Sequence, residues 1–232
     1  QYQVLQPAQS MQIELQEPLH IDRVSQEGKP LIFKKEGYSY FIELEKPQKP
    51  GASEQVLVEY SGKPAKSINP PWEGGVTWAK DQNGNPFVAT SCQGAGASLW
   101  WPCKDHLYDE ADSMLISITV PSDLKEVSNG RLIKVEELDN GKTTYNWFVS
   151  NPINNYGVTM NIGEYVHFNE TYKGLKGKLD CDYWVLSYNL KSAKKQFKDA
   201  QRTLEAFEYW FGPYPFYEDS YKLVETPFLG ME

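Results

Sequence analysis

The residues of this sequence that could carry chemistry are few, and they lie in two places. Ser91-Cys92-Gln93 stands shortly before Trp100-Trp101-Pro102-Cys103-Lys104-Asp105-His106, and Leu229-Gly230-Met231-Glu232 closes the chain. Taken singly, Gln93 is a surface amide and Glu232 a loop carboxylate; their company gives them interest. The three histidines, His20, His106 and His167, lie far apart. No His-Glu-x-x-His is present, so the two imidazoles one helical turn apart that a zincin-type site needs are missing. We assign no catalytic residue and no metal ligand within the chain. Asp109, Glu110 and Asp112 follow the tryptophan segment, but their spacing is not that of a calcium-binding loop and no glycine sits among them. Gly94-Ala95-Gly96-Ala97-Ser98 is glycine-rich without a nucleotide-binding pattern and reads as a tight loop. Trp100 and Trp101 could stack on a sugar ring or fill a core; core filling is expected. Cys92 and Cys103 could pair, but spacing alone does not show it, and Cys181 makes the count odd.

The elements that must position these residues are mainly β. Period-two alternation marks strands at Met11 to Leu15, Tyr38 to Leu44, Val56 to Tyr60, Leu115 to Val120 and Tyr145 to Val149. Asn83-Gly84, Asn129-Gly130 and Asn140-Gly141 lie between such runs and suit the positive φ of tight hairpin turns. The pattern then changes. Ala193, Phe197, Ala200, Leu204, Phe207 and Phe211 form one apolar stripe, which predicts a single helix with Ser192 as N-cap and Gly212-Pro213 as its stop. Lys191, Lys194, Lys195 and Lys198 lie off that stripe and read as its solvated face. The expected fold is therefore a saddle or sandwich of β-sheets over residues 1–168. Residues 169–232 then begin a different, α/β domain. The net charge of −8 argues against nucleic-acid partners. No apolar run is long enough for a transmembrane helix.

Four segments, in this order and at these intervals, resemble the M1 family of zinc aminopeptidases. They are Cys92-Gln93 ahead of Trp101-Pro102-Cys103-Lys104-Asp105, then Asn161-Ile162-Gly163-Glu164-Tyr165. Trp210-Phe211-Gly212-Pro213-Tyr214-Pro215 follows, and last Leu229-Gly230-Met231-Glu232, which matches all but the end of the family's G-A/G-M-E-N motif. Leu229 departs from the family's usual glycine. The resemblance implies a longer parent that hydrolyses N-terminal residues from peptides. This sequence would be its N-terminal β domain, with opening strands missing, plus the start of a thermolysin-like catalytic domain. It implies that Glu232 holds the substrate's ammonium, that the Gly230-Met231 backbone lies along the substrate, and that Gln93 contributes to the first side-chain pocket and the amine end. It implies zinc in the parent, bound downstream, and none in this piece. The implied partners are a peptide with a free N-terminus and the catalytic domain of the same chain. The alternative reading is a non-catalytic β-sandwich module that binds carbohydrate or protein through Trp100 and Trp101.

Overall fold

The computed structural model describes residues 1–92 and 94–227, which divide into two compact units. The first comprises residues 1–76, 91–109 and 154–157; the second comprises residues 77–90, 110–153 and the chain from 158 onward. No helix among the described residues is long and apolar enough to cross a membrane.

The first unit holds two three-stranded antiparallel sheets. Ser10–Glu14 pairs with Ser39–Glu43, which pairs with Phe33–Glu36; His20–Gln26 lies between Lys29–Pro30 and Leu57–Ser61. Alternation explains its core. Ile13, Leu15, Leu19, Ile21, Val24, Tyr40 and Ile42 are buried together, with alternate neighbours such as Gln12, Phe41 and Glu43 facing solvent; a bulge between Ile21 and Arg23 shifts the alternation, so that Val24 and Ser25 are both buried. All five predicted strands exist, with ends shifted by at most three residues.

A short pair, Tyr2–Gln3 with Ser53–Glu54, also lies in the first unit; the larger remaining sheets lie in the second. Met114–Pro121, Lys142–Val149 and Arg131–Leu138 form a sheet in that order. Tyr165–Gly174 and Gly177–Leu186 pair over ten positions, and Tyr221–Val224 adds to Gly177–Leu186 in parallel. The helices α1 (Leu190–Gln196) and α2 (Lys198–Phe211) cover part of this last sheet. Tyr172, Leu179, Cys181, Tyr183, Ala200 and Leu204 make that core, with Phe168 and Phe197 packed against it. The chain is thus mainly β, and among the described residues its α-helices lie in the C-terminal quarter.

Two local expectations are corrected. Asn83-Gly84 and Asn140-Gly141 do turn hairpins, but Asn129-Gly130 joins two different sheets, since Lys125–Val127 pairs with Asn161–Gly163 rather than with Arg131–Leu138. The predicted single helix is interrupted at Phe197. Its ring packs at 5.2 Å from Tyr183 and 6.2 Å from Phe168, and the backbone tightens there, with Ala200 N–H donating to the Phe197 carbonyl. Ser192 lies inside α1; the N-cap position is Asn189, whose side chain bonds elsewhere. The lysines at 191, 194, 195 and 198 are exposed, as expected of a solvated face.

Candidate functional site

Gln93, Gly230, Met231 and Glu232 all lie outside the described residues. What the structure gives is the framework on either side of them, one part in each unit.

In the first unit, the described residues on either side of position 93 are tied together. Ala95 and Gly96 N–H both donate to the Cys92 carbonyl, at 3.1 and 2.8 Å, with Gly94 and Gly96 at positive φ. Asp105 holds the following turn. Its carboxylate accepts from the N–H groups of Ala97 and Ser98 and from the Ser98 hydroxyl, at 3.3, 3.2 and 2.5 Å. A Cβ on Gly96 would collide with that carboxylate, so glycine is needed there. Gln16 completes the frame by donating to Ala95 O at 2.9 Å and Ser98 Oγ at 3.0 Å. Glu14 and Cys103 exchange two backbone hydrogen bonds, which ties the Trp-Pro-Cys segment to the first sheet. The loop that carries Gln93 is therefore anchored at both feet.

Trp100 and Trp101 are half-buried, set at 63° to one another with ring centres 6.3 Å apart, and both indole N–H groups are shielded from solvent. The two rings meet edge to face, and neither lies fully open. A sugar platform would present a flat exposed face. Cys92, Cys103 and Cys181 are buried free thiols. Burial pushes the Cys92 thiol up to about 12, with Asp105 adding to the effect, and raises Cys103 further still. Neither is a nucleophile at neutral pH.

In the second unit, the segment leading to Gly230 is held residue by residue. Asp219 accepts from Ser150 N–H, Asn151 N–H and the Asn151 amide, at 2.6, 2.9 and 2.7 Å. Burial opposes its charge, but these donors outweigh burial and hold its carboxyl below the ordinary range. Lys222 donates to the carbonyls of Ser128 and Gly130, at 2.6 and 2.7 Å, and its ammonium sits 4.0 Å over the Trp147 ring. Glu225 is clamped hardest. Its carboxylate accepts from Leu186 N–H and the Asn189 amide, its carbonyl accepts from Tyr165 Oη at 2.9 Å, and its own N–H donates to Trp184 O. Further back, Glu208 at the end of α2 accepts from the Tyr172 and Tyr217 hydroxyls and the N–H groups of Leu175 and Tyr214. Burial works against its charge as well, and the four donors again prevail, lowering its carboxyl. Sequence reasoning missed Glu208, Lys222 and Glu225. Their signal was faint: each is a charged residue set among apolar or aromatic neighbours.

Among the described residues, no group of three histidines, cysteines or carboxylates is placed to hold a metal ion. His20 meets Asp22 and Ser61, His106 meets Tyr108, and His167 meets Asp182.

The profile of the peptidase M1 N-terminal domain matches residues 2–156. No curated protein sequence matches significantly. Among solved structures, an M1 zinc metallopeptidase from Deinococcus radiodurans superposes with a TM-score of 0.79 at 17% identity, over 99% of this chain and 51% of that one. A mutant of that enzyme bound to a Tyr-Ser-Ala substrate gives the same figures. A two-domain M1 zinc metallopeptidase mutant bound to L-tryptophan gives 0.78 at 18%, over 97% and 50%. The chain spans about half the length of the solved structures it matches.

Proposed function

The chain belongs to the peptidase M1 N-terminal domain family, and from that premise we propose that it is the N-terminal part of a zinc aminopeptidase that removes N-terminal residues from peptides. The observation that carries the reading is the family match over residues 2–156, continued by a fold likeness to M1 metallopeptidases across 99% of the chain. In this reading residues 1–168 are the N-terminal β domain and residues 169–232 begin the catalytic domain. The strand Tyr165–Gly174 runs across position 168. Zinc, held by residues outside this sequence, would supply carbonyl polarisation and an activated water. The chain itself is then inactive and holds no stoichiometric zinc. One equivalent of tightly bound zinc, with turnover of an aminoacyl-anilide by the purified chain, would overturn this.

The chain's own contribution is recognition of the amine end. Glu232 pairs with the substrate ammonium, because a carboxylate in a low-dielectric cleft binds a cation with little screening. The Gly230-Met231 backbone lies along the substrate, and Gln93 supports the amine end. The anchored feet of the Gln93 loop and the Glu225 clamp support these roles by giving both segments rigid supports. The expected partners are a peptide with a free N-terminus and the catalytic domain of the same chain.

The test is kinetic, in the full-length protein. Glu232→Ala removes the partner of a desolvated cation at a cost of about 2–5 kcal/mol. Catalytic efficiency on free-amine substrates should fall by roughly 30-fold or more, and activity on N-blocked peptides should change much less. Gln93→Ala should cost about 1–2 kcal/mol. Equal loss on both substrate classes, or no loss on free-amine substrates, defeats the assignment.

A further inference from the structure

The strand Arg131–Leu138 is the edge of its sheet: Lys142–Val149 pairs with it on one side, and among the described residues no strand pairs with the other. It is eight residues long, and Ile133 and Val135 are 58% and 47% exposed. Leu132 and Leu138 are exposed as well. An edge of this length leaves a row of backbone donors and acceptors open to a further strand. Its beginning is occupied, where Arg131 donates to the carbonyls of Tyr217 and Glu218 and pairs with Asp180.

We propose that this edge pairs with the same strand of a second copy of the chain, antiparallel about a two-fold axis through Val135. The charge sequence selects that occupant and register. Antiparallel pairing centred on Val135 sets Lys134 of each copy opposite Glu136 of the other, on the face that also carries Asn146 and Thr144 of the neighbouring strand. Lys134 and Glu136 already lie side by side at 2.6 Å within one strand. Two copies would therefore form an alternating four-charge cluster, with no like charges directly opposed at these positions. The ladder to Lys142–Val149 is irregular at Ile133, between Leu132 and Lys134, so the regular stretch of this edge begins at Lys134, and the two Val135 side chains meet at the axis. A pairing moved by two residues toward the C-terminus sets Glu136 against Glu136, and one moved by two the other way sets Lys134 against Lys134. The patch is thus self-complementary in one register, as an isologous contact must be. Strand addition of this kind draws its affinity from main-chain hydrogen bonds and its register from side chains. The area is small, so the dimer should be weak and dependent on concentration.

The experiment uses the chain as it stands. Sedimentation equilibrium should show a monomer–dimer equilibrium that Val135→Lys shifts to monomer, because it opposes two lysines at the axis. Lys134→Glu should also weaken it, and the double variant Lys134→Glu with Glu136→Lys should restore it. In the correct register, Val135→Cys should crosslink about tenfold or more faster than a control cysteine at exposed Leu175, through the raised local concentration of the two thiols. The native thiols are buried and do not compete. Circular dichroism confirms that each variant is folded. A monomer at all concentrations, a dimer indifferent to Val135→Lys, or failure of the charge swap to restore pairing overturns the proposal.

Discussion

Glu126 shows how a single residue can set a pH dependence that no motif announces. It is fully buried; Trp147 Nε1 donates to one of its oxygens at 2.7 Å, while the other has no protein partner. Burial raises its carboxyl to about 8, against the opposing pull of the Trp147 hydrogen bond and Lys222. Burial in turn lowers Lys222 to about 8, against Asp182, Glu126 and Asp219. Between about pH 4.5 and 8 the folded protein keeps a proton on Glu126 that the unfolded chain has released, so this residue's contribution to stability falls as pH rises. For Lys222 the unfolded chain binds the extra proton between about 8 and 10.5, so its contribution rises with pH there. Glu126→Gln should therefore remove the fall. Its unfolding free energy from urea titration, relative to the parent, should improve from pH 5 to pH 8 by an amount on the order of 2 kcal/mol. Parallel pH profiles for the two proteins would show that Glu126 is ionised in the fold. The sequence could not show this residue: Lys125-Glu126-Val127 reads as an exposed charge pair, and only packing reveals that its glutamate faces inward.

At the scale of elements, alternation and turn chemistry were legible because they are local. Strands such as Met114–Pro121 follow from a run in which Ile116 and Val120 face the core and Ser117 faces out. Pairing is not local. Asn129-Gly130 has the composition of a hairpin turn, yet it links two sheets, because the partner of Lys125–Val127 arrives over thirty residues later. The helix break at Phe197 was equally hidden, since the stripe's spacing continues through it. The glycines give a sharp comparison. Gly130 and Gly141 have the same backbone, with φ +72 and +73, but a Cβ at Gly141 meets open space, whereas at Gly130 it runs into the Phe148 carbonyl. Gly141→Ala should cost only the left-handed strain, about 1 kcal/mol. Gly130→Ala should cost that plus a steric shift of the neighbouring strand, about 2–4 kcal/mol in all. It should also weaken the Lys222 contact to the Gly130 carbonyl. Equal losses in thermal unfolding would mean that the approach to Phe148 relaxes freely.

For the whole molecule, the sequence placed the family, because its four motifs lie in a fixed succession along the chain. It did not place the physical seams. The second unit joins residues on both sides of position 168: Tyr165 to Gly174 pair without interruption, and Asp219 and Lys222 reach back to Asn151 and Ser128. The same view locates where this chain should meet the catalytic half proposed for it. The apolar stripe of the helices is buried at Ala193, Ala200 and Leu204, but its far end is bare. Trp210 and Phe211 are 74% and 80% exposed, and Phe207 stacks on Phe211 at 5.7 Å beside them. A contiguous exposed aromatic patch costs solvation in an isolated protein and is usually covered. The rest of the parent chain is the proposed cover. Hydroxyl-radical labelling of Trp210 and Phe211 should be strong in this chain and fall sharply in the full-length protein, while labelling of Leu57 and Tyr38, exposed in the first unit, serves as the reference. Unchanged labelling of Trp210 and Phe211 relative to that reference would place the catalytic half elsewhere and leave this patch to a different partner.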